Sequence, residues 1–183
     1  MKPAALAKAL AAFAFIALHA ISMPALAQAA SSDASESSKP PLQIVNRTGL
    51  KVVIQVNHTD TVPSGIAKQV LAAQNLFDQY AALGMKPGQD YELVMVFRGD
   101  GAQFLLTDEA YDQKVAQPHP KGNPSRPMLE ALSQAGVKMY ECGVAMRLKG
   151  YTPRDILPTS RIVVSGIGAL VDFAKSGYIE VTP

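Results

Sequence analysis

Cys142 is the only thiol in the chain, and it stands where a thiol can be made to react. Val137 to Glu141 reads as a short strand, and Val144 to Lys149 as a short helix ended by Gly150. The stretch Gly136 to Tyr151, GVKMYECGVAMRLKGY, therefore puts the sulfur at the point where a strand becomes a helix. Main-chain N–H groups are unpaired at a helix start, and the helix dipole adds partial positive charge there. A thiolate is favoured in such a place, so the expected chemistry is that of a nucleophilic sulfur with a lowered pKa. The competing reading is an inert small hydrophobe, because free cysteine is among the most buried residue types.

Other chemistry-bearing residues fall at matching points of the chain. Asn57-His58 follows a first predicted strand, Arg98-Gly99 a second, Cys142-Gly143 a third and Ser165-Gly166 a fourth. In an open parallel sheet the ligand crevice lies beyond the carboxyl ends of the strands. Cys142 is thus the candidate catalytic residue. Asn57, His58, Arg98, Gly99, Gly143, Val144, Ser165 and Gly166 are the candidate binding residues around it. His58 is a base or hydrogen-bond partner for the thiolate, or else an exposed loop histidine. Arg98 steadies an anion, or else pairs with Asp100. Ser165 suits a helix N-cap. Ser165-Gly166-Ile167-Gly168 lacks the third glycine of a dinucleotide fingerprint. The single Cys and the scattered His have no metal-ligand spacing. No cofactor is called for.

The elements that position these residues alternate in type. Leu50 to Val56 and Tyr91 to Phe97 are apolar, β-branched runs read as strands. Between them, Pro63-Ser64 opens a predicted helix to about Leu83, with Ile66, Val70, Ala73, Phe77 and Tyr80 along one face and Gly84 as its stop. Ala102 to Leu106 suits a helical turn or two. Asp108 to Asn123 is polar, carries Pro118, His119 and Pro120, and reads as a surface excursion. Pro127 to Ala135 is a predicted helix before the cysteine strand. Tyr151 to Pro158 is a connector and Arg161 to Val164 a strand. Ile167 to Ser176 is a helix with Ile167, Leu170, Val171 and Ala174 on one face, and Tyr178 to Val181 closes the chain. This order predicts an α/β fold, a three-layer α/β/α domain around a mainly parallel sheet of about five strands.

The first residues predict a different fate. Lys2 and Lys8 precede an unbroken apolar run from Ala9 to Leu18, and Ala25-Leu26-Ala27 is a small-residue cleavage pattern. Residues 1–27 are therefore read as a secretory signal peptide cut after Ala27, with Ala29 and Ala30 as alternative sites. The run is too short for a membrane span, which needs about 20 residues. The mature chain is expected in the periplasm, with no membrane anchor after cleavage. Losing Lys2 and Lys8 takes the 17 basic side chains to 15, equal to the 15 acidic ones. Nothing in that balance favours nucleic acid. Residues 28–48, rich in Ser, Ala and Pro, read as a disordered linker, and residues 49–183 as the domain. About 155 mature residues suffice for one domain with a sizeable core.

Several motifs carry a family resemblance. They are Leu129-x-x-Leu132-x-x-x-Gly136-Val137-Lys138-x-Tyr140-x-Cys142-Gly143, then Asp155-Ile156-Leu157-Pro158, then Val163-x-Ser165-Gly166-x-x-x-Leu170-Val171, and a final Gly177-Tyr178. In order and spacing they resemble the DsrE/DsrF-like family over about Leu50 to Pro183. The resemblance implies a small three-layer α/β domain that forms homo-oligomers, trimers or hexamers. It also implies, from some members, sulfur carried on a Cys as a persulfide within sulfur-relay systems, with Cys142 at the matching position.

The expected function is a periplasmic sulfur-handling protein, a sulfurtransferase or a sulfur carrier. Cys142 would accept sulfane sulfur as a persulfide and pass it to an acceptor protein or small thiol, with the Gly143 and Val144 amides steadying the charged sulfur. The alternatives are a non-catalytic oligomeric module that binds a small molecule or partner around a structural Cys, and a thiol redox sensor.

Overall fold

The computed structural model describes residues 44–183. The predicted signal peptide and most of the predicted linker lie outside the described residues. Five strands form one all-parallel sheet in the order β4-β3-β2-β1-β5. They are β1 (Leu50–Val56), β2 (Tyr91–Phe97), β3 (Lys138–Cys142), β4 (Ser160–Val163) and β5 (Ile179–Val181). Helices α1 (Lys68–Ala82), α2 (Asp108–Lys114), α3 (Arg126–Gln134), α4 (Gly143–Lys149) and α5 (Gly166–Lys175) connect them. A 3-10 segment, Gly99–Leu105, follows β2. The registers Leu50↔Tyr91, Val94↔Lys138 and Met139↔Ser160 align the carboxyl ends of β1 to β4 on one edge.

Alternation along the strands divides the apolar side chains between two cores. Val52, Ile54 and Val56 of β1, with Leu93, Met95 and Phe97 of β2, face the larger core, which α1, α3 and α4 cover. Val53, Val94 and Val96 point the other way, where Leu170 and Phe173 of α5 meet them. The domain has the three layers expected, with unequal outer layers. Burial on both faces explains why the strands read as continuous apolar runs.

Three local expectations need correction. Helix α1 begins at Lys68, because residues 61–67 close on themselves first: Val62 N–H donates to Ile66 O at 2.9 Å and Gly65 N–H to Val62 O at 2.8 Å. Gly65 takes φ 86°, a left-handed value that suits a residue without Cβ. The Asp108–Asn123 stretch is not simply a surface loop. Thr107 caps α2 by accepting from the Ala110 N–H, Ala110, Tyr111 and Val115 are buried, and Asn123 donates to Phe104 O and Leu106 O at 2.8 Å each. The face expected on α5 is only partly inward: Leu170 is buried, whereas Ile167 and Val171 are exposed. Ile44, in the predicted linker, packs against the larger core.

Candidate functional site

The sulfur sits at the carboxyl edge of the sheet, where β3 runs straight into α4. Cys142 is the N-cap of α4, and its Sγ accepts from the Ala145 N–H at 3.4 Å. That is the usual reach of a cap atom to the third helical residue. A second main-chain donor comes from the next crossover: the Gly166 N–H, at the first residue of α5, lies 3.1 Å from Sγ. Cys142 Sγ thus receives hydrogen bonds from the starts of two helices. The donors are Ala145 and Gly166, in place of the Gly143 and Val144 amides expected, because a cap atom reaches one turn ahead rather than to its immediate neighbours.

Two glycines make room for this contact. A Cβ on Gly166 would stand 2.9 Å from the Arg98 Cβ, 3.1 Å from the Cys142 Cβ and 3.3 Å from Sγ. A Cβ on Gly143 would stand 2.9 Å from the Val163 carbonyl oxygen. The thiol residue is buried, 5% exposed. Ser165 caps α5, its Oγ accepting from the Gly168 N–H at 3.3 Å.

Arg98 lies against this edge, its Cβ beside the position of Gly166. Its Nε donates to the Gln55 Oε1, and Gln55 donates onward to Glu180 at 3.0 Å and Thr182 at 2.9 Å. Among the described residues the terminal guanidinium nitrogens have no protein partner. The pairing with Asp100 weighed from sequence does not form; Asp100 takes Lys149 Nζ at 2.8 Å instead. That bond holds the Asp100 carboxyl below the usual range, and His58 adds to the effect. His58 is exposed, and its main-chain N–H donates to the Gln69 Oε1 at 3.0 Å. Asn57 makes the same bond at 2.8 Å and accepts from Gln69 Nε2 at 3.1 Å. Buried Gln69 therefore shapes the loop after β1. The structure places His58 toward Asp100 and shows no bond from it to the thiol. Gly99 adopts φ 54° as it opens the 3-10 segment.

Sequence reasoning missed Glu141, the residue before the thiol. It is fully buried, and neither carboxyl oxygen has a hydrogen-bond partner. Burial, and then the negative field of Cys142, push its carboxyl up to about 9; the nearby Cys142 main-chain N–H opposes the rise without closing a bond. The available signal was an acidic residue at an inward strand position, two after Met139. Tyr151, just beyond α4, is likewise pushed up to about 12, first by burial and then by Glu141.

The DsrE/DsrF-like family model matches residues 50–183, the whole strand-and-helix domain. The chain belongs to the DsrE/DsrF-like family. A comparison with curated protein sequences finds no significant match. Among solved structures, the chain is similar to a protein of unknown function, MTH1491, from Methanobacterium thermoautotrophicum. That match has 21% identity and a TM-score of 0.54, and covers 73% of this chain and 99% of the other. It is also similar to the ychN protein from E. coli, at 18% identity and a TM-score of 0.49, over 73% of this chain and 97% of that one. The first of these likenesses shows the α/β fold that this member of the DsrE/DsrF-like family shares.

Proposed function

We propose that the protein is an exported, periplasmic sulfur carrier of the DsrE/DsrF-like family that holds sulfane sulfur on Cys142. The observation that carries this reading is the seat of Sγ, which accepts from the starts of two helices at once. Such donors favour a charged sulfur, whether thiolate or persulfide. In the forward step the Cys142 thiolate attacks the outer sulfur of a donor such as thiosulfate. A new S–S bond forms, the donor's S–S bond breaks, and sulfite leaves with the electron pair. An acceptor thiolate then attacks the outer sulfur of Cys142–S–S⁻, takes that atom and returns Cys142 as thiolate. No outside oxidant or reductant is needed. The terminal guanidinium nitrogens of Arg98, which have no protein partner among the described residues, support an anionic donor or leaving group at this edge.

Self-association is part of the proposal. Leu148 at 83% and Val164 at 84% exposed, with Ile162, Ile167 and Val171, leave apolar surface on α4, β4 and α5 near the thiol. Such a patch suits a protein interface, and the family resemblance supports a second copy of this chain as its partner. Val164→Asp with Ile167→Asp is expected to lower the mass in light scattering to that of a monomer. An unchanged mass places the interface elsewhere.

The test of sulfur loading is intact-mass spectrometry after exposure to polysulfide or thiosulfate. The wild type gains the mass of one sulfur atom, a thiol reductant removes it, and Cys142→Ala gains nothing. The near-complete burial of Cys142 supports a second reading, a binding module in which the thiol is a structural cap. That reading predicts no adduct and no alkylation of Cys142 in the folded state.

A further inference from the structure

A cavity of about 110 Å³ lies on the carboxyl edge of the sheet, apart from the thiol. Thr59 and Thr61 border it from the loop after β1, and Gln103 from the 3-10 segment after β2. Tyr111 of α2 and His119 from the stretch beyond it complete the polar part of the wall. Cys142, Ala145, Gly166 and Arg98 do not line it. Ligand crevices of parallel sheets lie on this edge. The walls are tied to one another. A Cβ on Gly65 would stand 2.9 Å from Pro124 Cγ and 3.1 Å from Pro120 Cδ, so the β1–α1 loop packs closely on the proline stretch. The Tyr111 and His119 rings meet edge to face, 4.8 Å between centroids. Asp112 accepts from the Gly122 N–H at 2.7 Å, and Asn123 anchors the end of the stretch on the Phe104 and Leu106 carbonyls.

Two side chains of this wall are buried without a partner. Gln103 is 7% and Tyr111 2% exposed. Among the described residues, neither the Gln103 amide nor the Tyr111 hydroxyl has a hydrogen bond within the protein, and burial alone raises the Tyr111 phenol. The polar side-chain atoms that are both sealed off and unpartnered belong to Tyr91 and Glu141. The polar ends of Gln103 and Tyr111 are therefore not sealed; they open onto the cavity that both residues line. Buried polar groups in native folds have partners, so two orphans on one cavity wall mark a ligand's place.

We propose that this cavity binds a small neutral polyhydroxyl molecule, a polyol or the edge of a sugar ring, with Gln103 and Tyr111 as its recognition groups. Size sets the first limit: a cavity of about 150 Å³ takes benzene, so this one holds about four to six heavy atoms. Charge sets the second. No Lys, Arg, Asp or Glu lines the cavity, so an ionic ligand would be buried without a counter-charge. Hydrogen bonding sets the third. An apolar ligand would leave Gln103 and Tyr111 unsatisfied. The amide, the phenol and the Thr59 and Thr61 hydroxyls all donate and accept, and a ligand hydroxyl does both in return. His119 adds an acceptor: its Nδ1 lies 2.7 Å from the Pro120 carbonyl oxygen and donates to it, which leaves Nε2 of the neutral ring as a lone pair. Asp112, 3.8 Å from that Nδ1, further disfavours an anion. The ring of Tyr111, Val115 and Pro120 supply the apolar surface against which a carbon skeleton packs. The site stands independently of the reading of Cys142.

The test is a titration of the nitrogen-15-labelled protein with glycerol and with glucose, followed by NMR. Acetate and 1-propanol, which is the same carbon chain with one hydroxyl, serve as comparators. Glycerol or glucose is expected to shift the Gln103 side-chain amide and the Thr61 and Tyr111 main-chain signals to saturation, with a midpoint on the order of 10 mM for so small a ligand. Tyr111→Phe removes a hydroxyl that has no partner in the protein, so the fold is retained, and should weaken binding roughly fivefold. Gln103→Leu should do the same, and the two together should abolish saturation. Shifts that never saturate, or an equal midpoint in wild type and both single variants, overturn the proposal. Acetate or 1-propanol binding as tightly as glycerol also overturns it, and marks the cavity as an anion site or an apolar one. None of these readings involves sulfur loading, so failure of the persulfide reading leaves this test intact.

Discussion

Replacing Glu141 with glutamine should make the domain more stable at neutral pH, by an amount that depends on pH in a defined way. The folded carboxyl titrates at about 9 against an ordinary 4.5. A group raised in the folded state contributes stability that is fully present below the unfolded pKa and lost as pH rises through the folded one. The wild type should therefore weaken steadily between about pH 4.5 and 9 through this residue alone. Holding one proton against a tenfold fall in proton concentration costs about 1.4 kcal/mol, so the climb from pH 4.5 to 7.5 sets a ceiling of roughly 4 kcal/mol. Glutamine has nearly the same shape and no charge, and it removes this slope. Its amide is also buried without a partner, which costs about 1–3 kcal/mol, but equally at every pH. The informative quantity is thus the change in the gap between the two proteins. For a domain of this size the gap in Tm should widen by on the order of 10 °C between pH 4.5 and 7.5. Thermal unfolding followed by circular dichroism at a series of pH values measures it. A gap of constant size across that range refutes the reasoning, because the Glu141 carboxyl would then titrate alike in the folded and unfolded chains.

Further substitutions probe the frame around the thiol. Asn123→Ala leaves the Phe104 and Leu106 carbonyls and the Ser125 N–H without their partner; urea unfolding should show a loss of about 2–4 kcal/mol. Gly101→Ala puts a Cβ within 2.4 Å of the Val56 carbonyl oxygen; a loss of about 3 kcal/mol or a failure to fold is expected, read from soluble yield and Tm. Gly166→Ala presses α5 away from Cys142 and Arg98; it should cost about 1–3 kcal/mol in urea unfolding and reduce sulfur loading in the same preparation. Lys149→Ala should raise the Asp100 titration toward the ordinary carboxylate value, seen by NMR, while stability changes by less than about 1 kcal/mol because the pair is at the surface.

Much of the frame is legible in the chain. The run of apolar residues in LKVVIQV and YELVMVF marks strands covered on both faces, and the β–α alternation implies their parallel pairing. The thiol's place at a strand-to-helix turn follows from Gly143 and Gly150 around a short apolar segment. Elsewhere local signals conflict with tertiary ones. Pro63-Ser64 looks like a helix start, yet Gly65 turns the chain back and Ala67 begins α1 without a side-chain cap. Thr107 with Asp108 and Glu109 is a cap and an acidic first turn, hidden in a stretch whose prolines and polarity suggest a loop. On α5 the apolar spacing is real, but Ile167 and Val171 face outward, and periodicity alone cannot tell a core stripe from a surface one. The second donor to Cys142 and the orphaned Glu141 are least legible, since both depend on which crossover lies beside β3.

Following one sulfur atom tests the central claim most directly. Thiosulfate labelled at its outer sulfur is mixed with the protein in a single turnover, beside Cys142→Ala. Sulfur carriage on Cys142 predicts label on the peptide that holds it, sulfite released in equal amount, and release of the label by an added thiol. Unlabelled Cys142 that also resists alkylation in the folded chain contradicts the claim, and leaves the thiol as a structural cap between α4 and α5.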